Sequence, residues 1–499
     1  MTATTLLHEL LDATALEHPD SPAVSCGDTV MTYDWLRTAG HRVAAWLADR
    51  GVRRGDRVLI CLPADVHGPA LVYGCSRLGA MFVITAEGAP AGLMEHLLDD
   101  AEPALLISED AGSRRLAEER GIRTAVLADV RTAAATAGPE FRAPESPLSV
   151  DPVCLIYTSG STGRPKAIVS THGQVVFAAR AIQQVLGYRA DDVVFVPLPP
   201  SFDYGLYQLF LTTLAGARLH LASAAEAGTT LLRHLNATGA TVLPAVPSLA
   251  GTLARLLRRP QAQAPRLRLI TNTGAAMPED IPNTLRAKIP GLRIQLMYGL
   301  TECKRAAIMP PDGDLERPGA SGRALPGTEI FVVDESGQRL PAGKDGEIVV
   351  RGPHVMAGYW RRPEVTAQRF PRVEGLLPQL HTGDYGRLDE DGYLYFSGRR
   401  DDLYKERGFR VSVTEVEAAA HRLPEIEAAA VLPPAEGRDG AVLFAVTGLK
   451  AHDVLTGLRT ELEDFKVPQK CVVVAELPYN ASRKIDRAAL ARLLEESHA

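Results

Sequence analysis

Short apolar runs rich in β-branched residues recur through the first 330 residues and are separated by longer amphipathic stretches. The runs cover residues 57–62, 104–107, 153–156, 193–196, 241–246, 268–270 and 293–297. Strands that alternate with helical segments are typical of parallel sheets joined by crossover helices. The pattern therefore predicts an α/β fold, and 499 residues are too many for one compact core.

The pattern changes to hairpin-like segments after about residue 322. Candidate strands at 329–333 and 347–351 flank turn-forming residues, and a further strand at 393–397 is followed by the charged segment 398–402. We expect a large N-terminal domain of α/β sheets over residues 1–400, with a small β-rich subdomain over about 322–400.

Residues 401–499 are predicted to form a separate α+β domain. It contains candidate helices at 413–421 and 486–495 and candidate strands at 428–432 and 440–447. No internal repeat or low-complexity segment is visible.

Composition excludes several classes of protein. The net charge of −6 gives no basic surface for nucleic acid. The six cysteines have no zinc-site spacing, which favours reduced thiols. The N-terminus lacks a cationic segment before an apolar core, and the apolar runs are too short to cross a bilayer. We therefore expect a cytoplasmic protein with no membrane partner.

Residues 157–166 read Tyr-Thr-Ser-Gly-Ser-Thr-Gly-Arg-Pro-Lys and form a candidate phosphate-binding loop. Small residues let backbone N–H groups approach phosphate oxygens, hydroxyl groups add donors, and a lysine adds positive charge. The spacing differs from that of a Walker loop. The alternative is a flexible surface turn. The candidate ligands of the phosphates are Thr158, Ser159, Gly160, Ser161, Thr162, Gly163 and Lys166.

A second motif, Met-Tyr-Gly-Leu-Thr-Glu at 297–302, directly follows a predicted strand, where open α/β sheets bind ligands. Tyr298 can stack on a purine, Thr301 can donate to a phosphate, and Glu302 can hold Mg²⁺. In a third segment, Asp384 is suited to two ribose hydroxyl groups, and Arg399 could reach the same sugar or the phosphate. An ordinary turn and solvated surface charges are the alternatives.

These segments together resemble the acyl-adenylate-forming superfamily, which holds acyl-CoA synthetases, nonribosomal peptide adenylation domains and luciferases. The resemblance covers about residues 5–495. The motifs that carry it lie at 157–166, 298–302, 381–384, 398–399, 405–410 and 482–487.

The resemblance implies roles for individual residues. The loop would bind the pyrophosphate portion of ATP, Gly274, Ala275 and Ala276 with Tyr298 and Gly299 would frame the adenine, and Asp384 and Arg399 would hold the ribose. Thr301 and Glu302 would contact phosphate and Mg²⁺.

Lys484 matches the catalytic lysine, which stabilises charge as a carboxylate attacks the α-phosphate. Asp401 matches a hinge about which the C-terminal domain rotates, bringing Gly408 towards a pantetheine tunnel.

Two positions depart from the family pattern. Ala167 follows the loop lysine where glycine is usual, which asks only for a negative φ at that residue. Arg483 stands where glycine precedes the catalytic lysine, and it adds bulk and charge beside Lys484.

The choice of acid is read from other residues. Asp203 matches the aspartate that binds the substrate ammonium in amino-acid-activating members, although some non-amino acyl ligases share a similar segment.

Lys304 and Arg305 are placed to reach the acyl pocket, and two cations there favour a substrate with a second carboxylate. Stand-alone β-amino acid adenylating enzymes of macrolactam pathways also have Lys-Arg at this place. Alternatively, Lys304 pairs with an acid of the protein or Arg305 points to solvent. Further candidate pocket residues are Tyr204, Tyr207, Ser248, Thr273, Gly274 and Met297.

The sequence thus predicts an enzyme that uses ATP and Mg²⁺ to activate an amino acid, β-amino or dicarboxylic, as acyl-AMP. It then transfers the acyl group to the phosphopantetheine thiol of a separate carrier protein. The alternatives are an acyl- or aryl-CoA synthetase, and an adenylate-forming ligase that uses a nitrogen nucleophile or an unusual oxyacid.

Overall fold

The computed structural model describes residues 4–158, 165–372, 378–399, 403–406, 409–435, 440–462, 466–480 and 485–496. The strands in this part of the chain are β1 Pro22–Cys26, β2 Thr29–Thr32, β3 Arg57–Cys61, β4 Met81–Ile84, β5 Leu105–Ser108, β6 Arg123–Ala125, β7 Pro152–Thr158, β8 Lys166–Thr171, β9 Val193–Val196, β10 Arg218–Leu221, β11 Val242–Ala245, β12 Leu269–Asn272, β13 Arg293–Tyr298, β14 Ala307–Ile308, β15 Arg323–Ala324, β16 Glu329–Val333, β17 Gly346–Arg351, β18 Gly358–Tyr359, β19 Gln379–Leu388, β20 Leu394–Arg399, β21 Leu403–Glu406, β22 Phe409–Ser412, β23 Ile426–Leu432, β24 Val442–Thr447 and β25 Lys470–Val473.

The helices are α1 Leu7–Glu17, α2 Tyr33–Asp49, α3 His67–Leu78, α4 Ala91–Ala101, α5 Ala111–Glu118, α6 Leu127–Ala135, α7 His172–Leu186, α8 Asp203–Ala215, α9 Leu231–Thr238, α10 Pro247–Leu257, α11 Asp280–Lys288, α12 Gly313–Glu316, α13 Pro363–Arg369, α14 Val413–His421, α15 Ala451–Glu461 and α16 Arg487–Glu496.

Two large sheets form the first part of the molecule. A nine-stranded sheet has the order β15-β14-β13-β12-β11-β9-β10-β1-β2, and β13 through β1 run parallel in it. A seven-stranded sheet has the order β18-β8-β7-β4-β3-β5-β6, with β7 through β6 parallel. The parallel strands are buried, as sheets covered by helices on their faces require. The predicted α/β fold is confirmed.

The next part of the chain is antiparallel. Strands β16, β17, β19 and β20 form a four-stranded sheet, and its inward side chains share one apolar cluster with residues of the β13–β14 connection. That cluster joins Tyr298, Leu300 and Cys303 to Ile348 and Leu394. The small sheet therefore holds the connection that carries the Tyr-Gly-Leu-Thr-Glu motif.

The last part of the chain builds its own apolar clusters. Strands β21 and β22 form a hairpin, and β23, β24 and β25 form a three-stranded sheet with α14, α15 and α16 around it. Its buried side chains, from Tyr404 to Leu494, form two clusters among themselves. The domain boundary and hinge at Asp401 remain predictions, because Asp401 lies outside the described residues.

The predicted strands and helices lie within about two residues of the observed ones. For example, the strand predicted at 241–246 is β11, Val242–Ala245, and the helix predicted at 413–421 is α14. All six cysteines are free thiols, as expected. Within the described residues, no helix combines the length and apolar character needed to cross a lipid bilayer.

Candidate active site

The candidate phosphate loop connects two antiparallel strands. Tyr157 and Thr158 end β7, Lys166 begins β8, and the pairs Tyr157–Ala167 and Thr158–Lys166 face each other across the hairpin. Ala167 adopts the extended conformation of a strand, so glycine is not needed there. The loop is thus shorter than residues 157–166, because backbone pairing extends to its base. Ser159, Gly160, Ser161, Thr162 and Gly163 lie outside the described residues.

Helix α4 contacts both sides of this hairpin. The hydroxyl of Tyr157 donates to Asp100 Oδ2 at 2.8 Å, and His96 Nε2 lies 2.8 Å from the carbonyl oxygen of Pro165. His96 also packs edge-on against the ring of Tyr157. The two α4 residues are four apart, so they share one face of the helix.

The β13–β14 connection, residues 299–306, carries five predicted site residues. Its close packing depends on Gly299, because a Cβ there would lie 2.1 Å from the carbonyl oxygen of Lys304. Lys304 itself has a φ of 63°, an uncommon conformation for a residue other than glycine. The tight loop fixes the directions in which Lys304 and Arg305 leave the backbone.

The predicted adenine and ribose residues are in direct contact. Tyr298 donates its hydroxyl to Asp384 Oδ2 at 2.6 Å, and its ring lies beside that of Phe396. Burial, followed by the charge of Asp384, raises the pKa of Tyr298 well above its usual value. Arg399 faces Asp384 across β19 and β20 in the backbone register, and the ribose role of the two residues stays a prediction.

Glu302 is connected to the phosphate hairpin through a residue that the sequence analysis missed. The hydroxyl of Tyr359 donates to Glu302 Oε1 at 2.8 Å, and Lys166 Nζ lies 6.0 Å from the centre of the Tyr359 ring. Tyr359 is in β18 and pairs with Ile168 of β8, two residues after Lys166. Its place in the sequence, 57 residues after Glu302, gave no local signal of this contact.

Asp203 and Arg305 form a buried ion pair. Asp203 begins α8, where the helix dipole favours a carboxylate. Arg305 Nη1 lies 3.3 Å from Asp203 Oδ2, and both side chains are 5% exposed. The same Nη1 donates to the carbonyl oxygen of Lys304 at 2.7 Å, and the guanidinium lies 4.7 Å from the centre of the Tyr204 ring. Arg305 therefore does not point to solvent, which removes one alternative.

Lys304 is a second buried cation in the same place. Its side chain is fully buried, and Nζ donates to the carbonyl oxygen of Thr301 at 3.0 Å. Within the described residues, no carboxylate lies within ion-pair distance of Nζ. Burial lowers the pKa of Lys304, and the nearby charge of Asp203 opposes that shift. We call Asp203, Lys304 and Arg305 the charge cluster.

Aromatic and polar residues surround the charge cluster. Lys304 Nζ lies 5.5 Å from the centre of the Tyr207 ring, and Tyr204 donates to the carbonyl oxygen of Thr271 at 2.7 Å. Neither the Tyr207 hydroxyl nor Ser248 Oγ has a hydrogen-bond partner in the described part of the chain, although both atoms are buried.

The other predicted pocket residues follow the carboxyl ends of neighbouring strands. Thr273 and Gly274 follow β12, Ser248 lies three residues after β11, and Met297 is the next-to-last residue of β13. Ala275 and Ala276 are exposed beyond Gly274, which has a φ of 92°. Lys484, Arg483 and Gly408 lie outside the described residues.

The nucleotide-type motifs and the charge cluster lie at the ends of parallel strands, which is where open α/β sheets bind ligands. Residues 11–360 match the AMP-binding enzyme family, and residues 415–484 match the AMP-binding enzyme C-terminal domain. The chain belongs to the AMP-binding enzyme family, and its class is that of AMP-forming acid–thiol ligases and adenylation enzymes.

Three relatives illustrate the range of this class. The crystal structure of VinN is 43% identical, with a TM-score of 0.73, over 79% of this chain and 98% of VinN. A complex of VinN with L-aspartate matches at 42% identity and a TM-score of 0.70, with the same coverage.

The other two relatives differ in length. Feruloyl-CoA synthase of Amycolatopsis sp is 31% identical over 95% of this chain and 96% of its own length. CymA of Salinispora arenicola, a probable nonribosomal peptide synthetase, is 33% identical over 96% of this chain, which spans only 6% of CymA.

Proposed function

We propose that the enzyme activates an amino acid with a second carboxylate, such as aspartate or a β-amino relative of it, by forming acyl-AMP from ATP. The observation that carries this proposal is the charge cluster, because it places one buried anion and two buried cations close together. A buried charge is costly unless it is paired. An ammonium and a carboxylate on one substrate would pair with both signs.

In the proposed reaction a carboxylate oxygen of the acid attacks the α-phosphorus of ATP. The bond between that phosphorus and the bridging oxygen breaks, and pyrophosphate leaves. Asp203 would hold the substrate ammonium, and Lys304 and Arg305 would hold the carboxylate that does not react. Lys166 and Lys484 would supply positive charge near the phosphates, where charge develops.

The residues around Glu302 fit a magnesium ion. Mg²⁺ usually takes one or two protein carboxylates together with substrate phosphates. Glu302 gives one oxygen to Tyr359, which orients the carboxylate and leaves its second oxygen for a cation. The described residues contain no cluster of three or more metal-binding side chains that would suggest a cage made by the protein alone. The ion would neutralise phosphate charge.

The similarity to VinN supports the choice of acid. The related structure contains L-aspartate, which has an ammonium and two carboxylates. Feruloyl-CoA synthase, the less similar relative, acts on an acid with no amino group according to its name. The charge cluster favours the first type of substrate over the second.

For the second step we propose a carrier protein as the acceptor. Its phosphopantetheine thiol would attack the carbonyl carbon of acyl-AMP, AMP would leave, and the thiol proton would pass to solvent. The alternative acceptor is free CoA, which the relationship to a CoA synthase keeps open.

Acyl-AMP formation measured by mass spectrometry over a panel of acids tests the proposal. We expect aspartate or its β-amino relatives to give the most product. If an aryl or fatty acid gave as much, the assignment of the acid would be wrong. Adding CoA or a phosphopantetheinylated carrier protein to the same mixture then identifies the acceptor by the thioester that forms.

A further inference from the structure

We propose that Arg305 occupies Asp203 when the pocket contains no acid, and that a substrate enters by exchanging this one ion pair for two. The substrate ammonium would replace Arg305 on Asp203, and the substrate carboxylate would take the released guanidinium. This inference rests on the proposed function and adds a mechanism of selection to it.

The geometry of the ion pair suits an exchange. A guanidinium binds a carboxylate most strongly through two parallel N–H donors. Here a single nitrogen, Nη1, reaches Asp203 at 3.3 Å, and it also donates to the carbonyl oxygen of Lys304. Arg305 Nε is buried and has no hydrogen-bond partner within the described residues. A carboxylate could therefore bind Arg305 better than Asp203 does.

Burial makes the exchange selective. Removing one partner of a buried ion pair leaves the other charge without compensation, and this is strongly unfavourable. An amine without a second carboxylate would displace Arg305 from Asp203 and leave the guanidinium unpaired. A diacid without an amine would draw Arg305 away and leave Asp203 unpaired. Only a substrate with both groups pairs every charge.

Lys304 adds to the attraction for the second carboxylate. Its ammonium has a backbone carbonyl and an aromatic ring as neighbours, so its charge is less compensated than that of Arg305. Arg305 is the next residue in the chain, so a carboxylate that enters beside Lys304 also comes near Arg305. Lys304 would thus help the substrate to draw Arg305 from Asp203.

Three acids that differ by one charged group each test the exchange. L-Aspartate has both groups, β-alanine lacks the second carboxylate, and succinate lacks the amine. Binding by calorimetry and ATP–pyrophosphate exchange are measured for each acid in wild type, Arg305→Gln, Asp203→Asn and the double variant. Arg286→Gln is the control, because Arg286 pairs with Asp314 beyond the opposite end of β13.

We expect both single variants to lose about a hundredfold in kcat/KM for aspartate. Arg305→Gln should gain about tenfold for β-alanine, because Asp203 is then open to an amine. Asp203→Asn should gain similarly for succinate, because Arg305 is then open to a carboxylate. The double variant leaves no unpaired charge in the pair, so it should fold even if a single variant does not. Its loss in kcat/KM for aspartate should be smaller than the product of the two single losses.

The outcomes distinguish a failure of the ion-pair exchange from a failure of the proposed function. If wild type prefers aspartate but neither single variant gains activity on its matched acid, the exchange is wrong and the proposed function stands. Wild type that treats the three acids alike would overturn the proposed function and the exchange together. If a single variant does not fold, the double variant decides: a double variant that still prefers aspartate to both β-alanine and succinate would contradict the exchange.

Discussion

Lys304 is one residue at which the proposed substrate site opposes stability. The side chain is fully buried in a backbone conformation that few residues adopt, and its ammonium has one hydrogen bond to a carbonyl oxygen. A charge held this way favours binding of an anion and disfavours folding of the acid-free protein.

We expect Lys304→Met to raise the free energy of unfolding by about 1 kcal/mol at neutral pH while activity on aspartate falls. Burial lowers the pKa of Lys304 in the folded state below its ordinary value of 10.5. At pH values between the folded-state pKa and 10.5, the unfolded chain therefore binds more protons than the folded protein. The free-energy penalty of the buried ammonium on folding declines as the pH rises through that window. Wild type and variant should converge in stability towards pH 10.5. Chemical denaturation at several pH values measures this.

The control for that experiment is Lys344→Met, because Lys344 is exposed. It should leave stability nearly unchanged. A variant at Lys304 that is less stable than wild type at neutral pH would show that its ammonium stabilises the empty pocket.

Tyr298 gives a second prediction at this scale. Tyr298→Phe keeps the ring and removes the hydroxyl that donates to Asp384 at 2.6 Å. We expect KM for ATP to rise about tenfold, because a hydrogen bond to a charged group contributes about 1.5–3 kcal/mol. Steady-state pyrophosphate exchange should show little change in KM for the acid. An equal effect on both substrates would place Asp384 outside the ribose site.

Single elements position these residues, and the β13–β14 connection does so most strictly. Gly299→Ala should lower stability by about 2 kcal/mol and abolish exchange, because the added Cβ would overlap the carbonyl oxygen of Lys304. Gly68→Ala in α3, where a Cβ meets nothing within 4 Å, is the matched control. Thermal unfolding and exchange activity measure both variants. Wild-type activity in Gly299→Ala would contradict the role of this loop.

Helix α4 is expected to position the phosphate hairpin. His96→Phe keeps the packing against Tyr157 and removes the contact with the carbonyl oxygen of Pro165. We expect KM for ATP to rise about fivefold, the effect of one hydrogen bond of about 1 kcal/mol. Calorimetry of the acid without ATP should give wild-type affinity. A change in acid binding alone would contradict this assignment.

Elements of this kind are predictable to different degrees. The parallel strands were predictable because β-branched runs and intervening amphipathic segments repeat along the chain, and the motifs at their ends marked most candidate site residues. The contact of Tyr359 with Glu302 was not predictable, because it joins strands far apart in sequence. The pairing of Arg305 with Asp203 depends on a left-handed turn at Lys304, which no residue type in the motif signals.

The whole molecule combines two sets of sheets, and we propose that they serve two steps of the reaction. The N-terminal sheets carry the candidate nucleotide and acid residues, and the last part of the chain has separate apolar clusters. Lys484→Ala should abolish acyl-AMP formation while ATP still binds, and the variant should still transfer an acyl group from acyl-AMP made beforehand. Acyl-AMP formed at the wild-type rate would contradict the role of Lys484.

We propose above that the charge cluster selects a substrate by its two charged groups. The most direct measurement is a competition in which wild-type enzyme, ATP and equal concentrations of L-aspartate, β-alanine, succinate and benzoate react in one vessel. Mass spectrometry then measures the acyl-AMP species formed before substrate is depleted. We expect aspartyl-AMP to predominate. Benzoyl-AMP, or an equal mixture of the four adenylates, would contradict it.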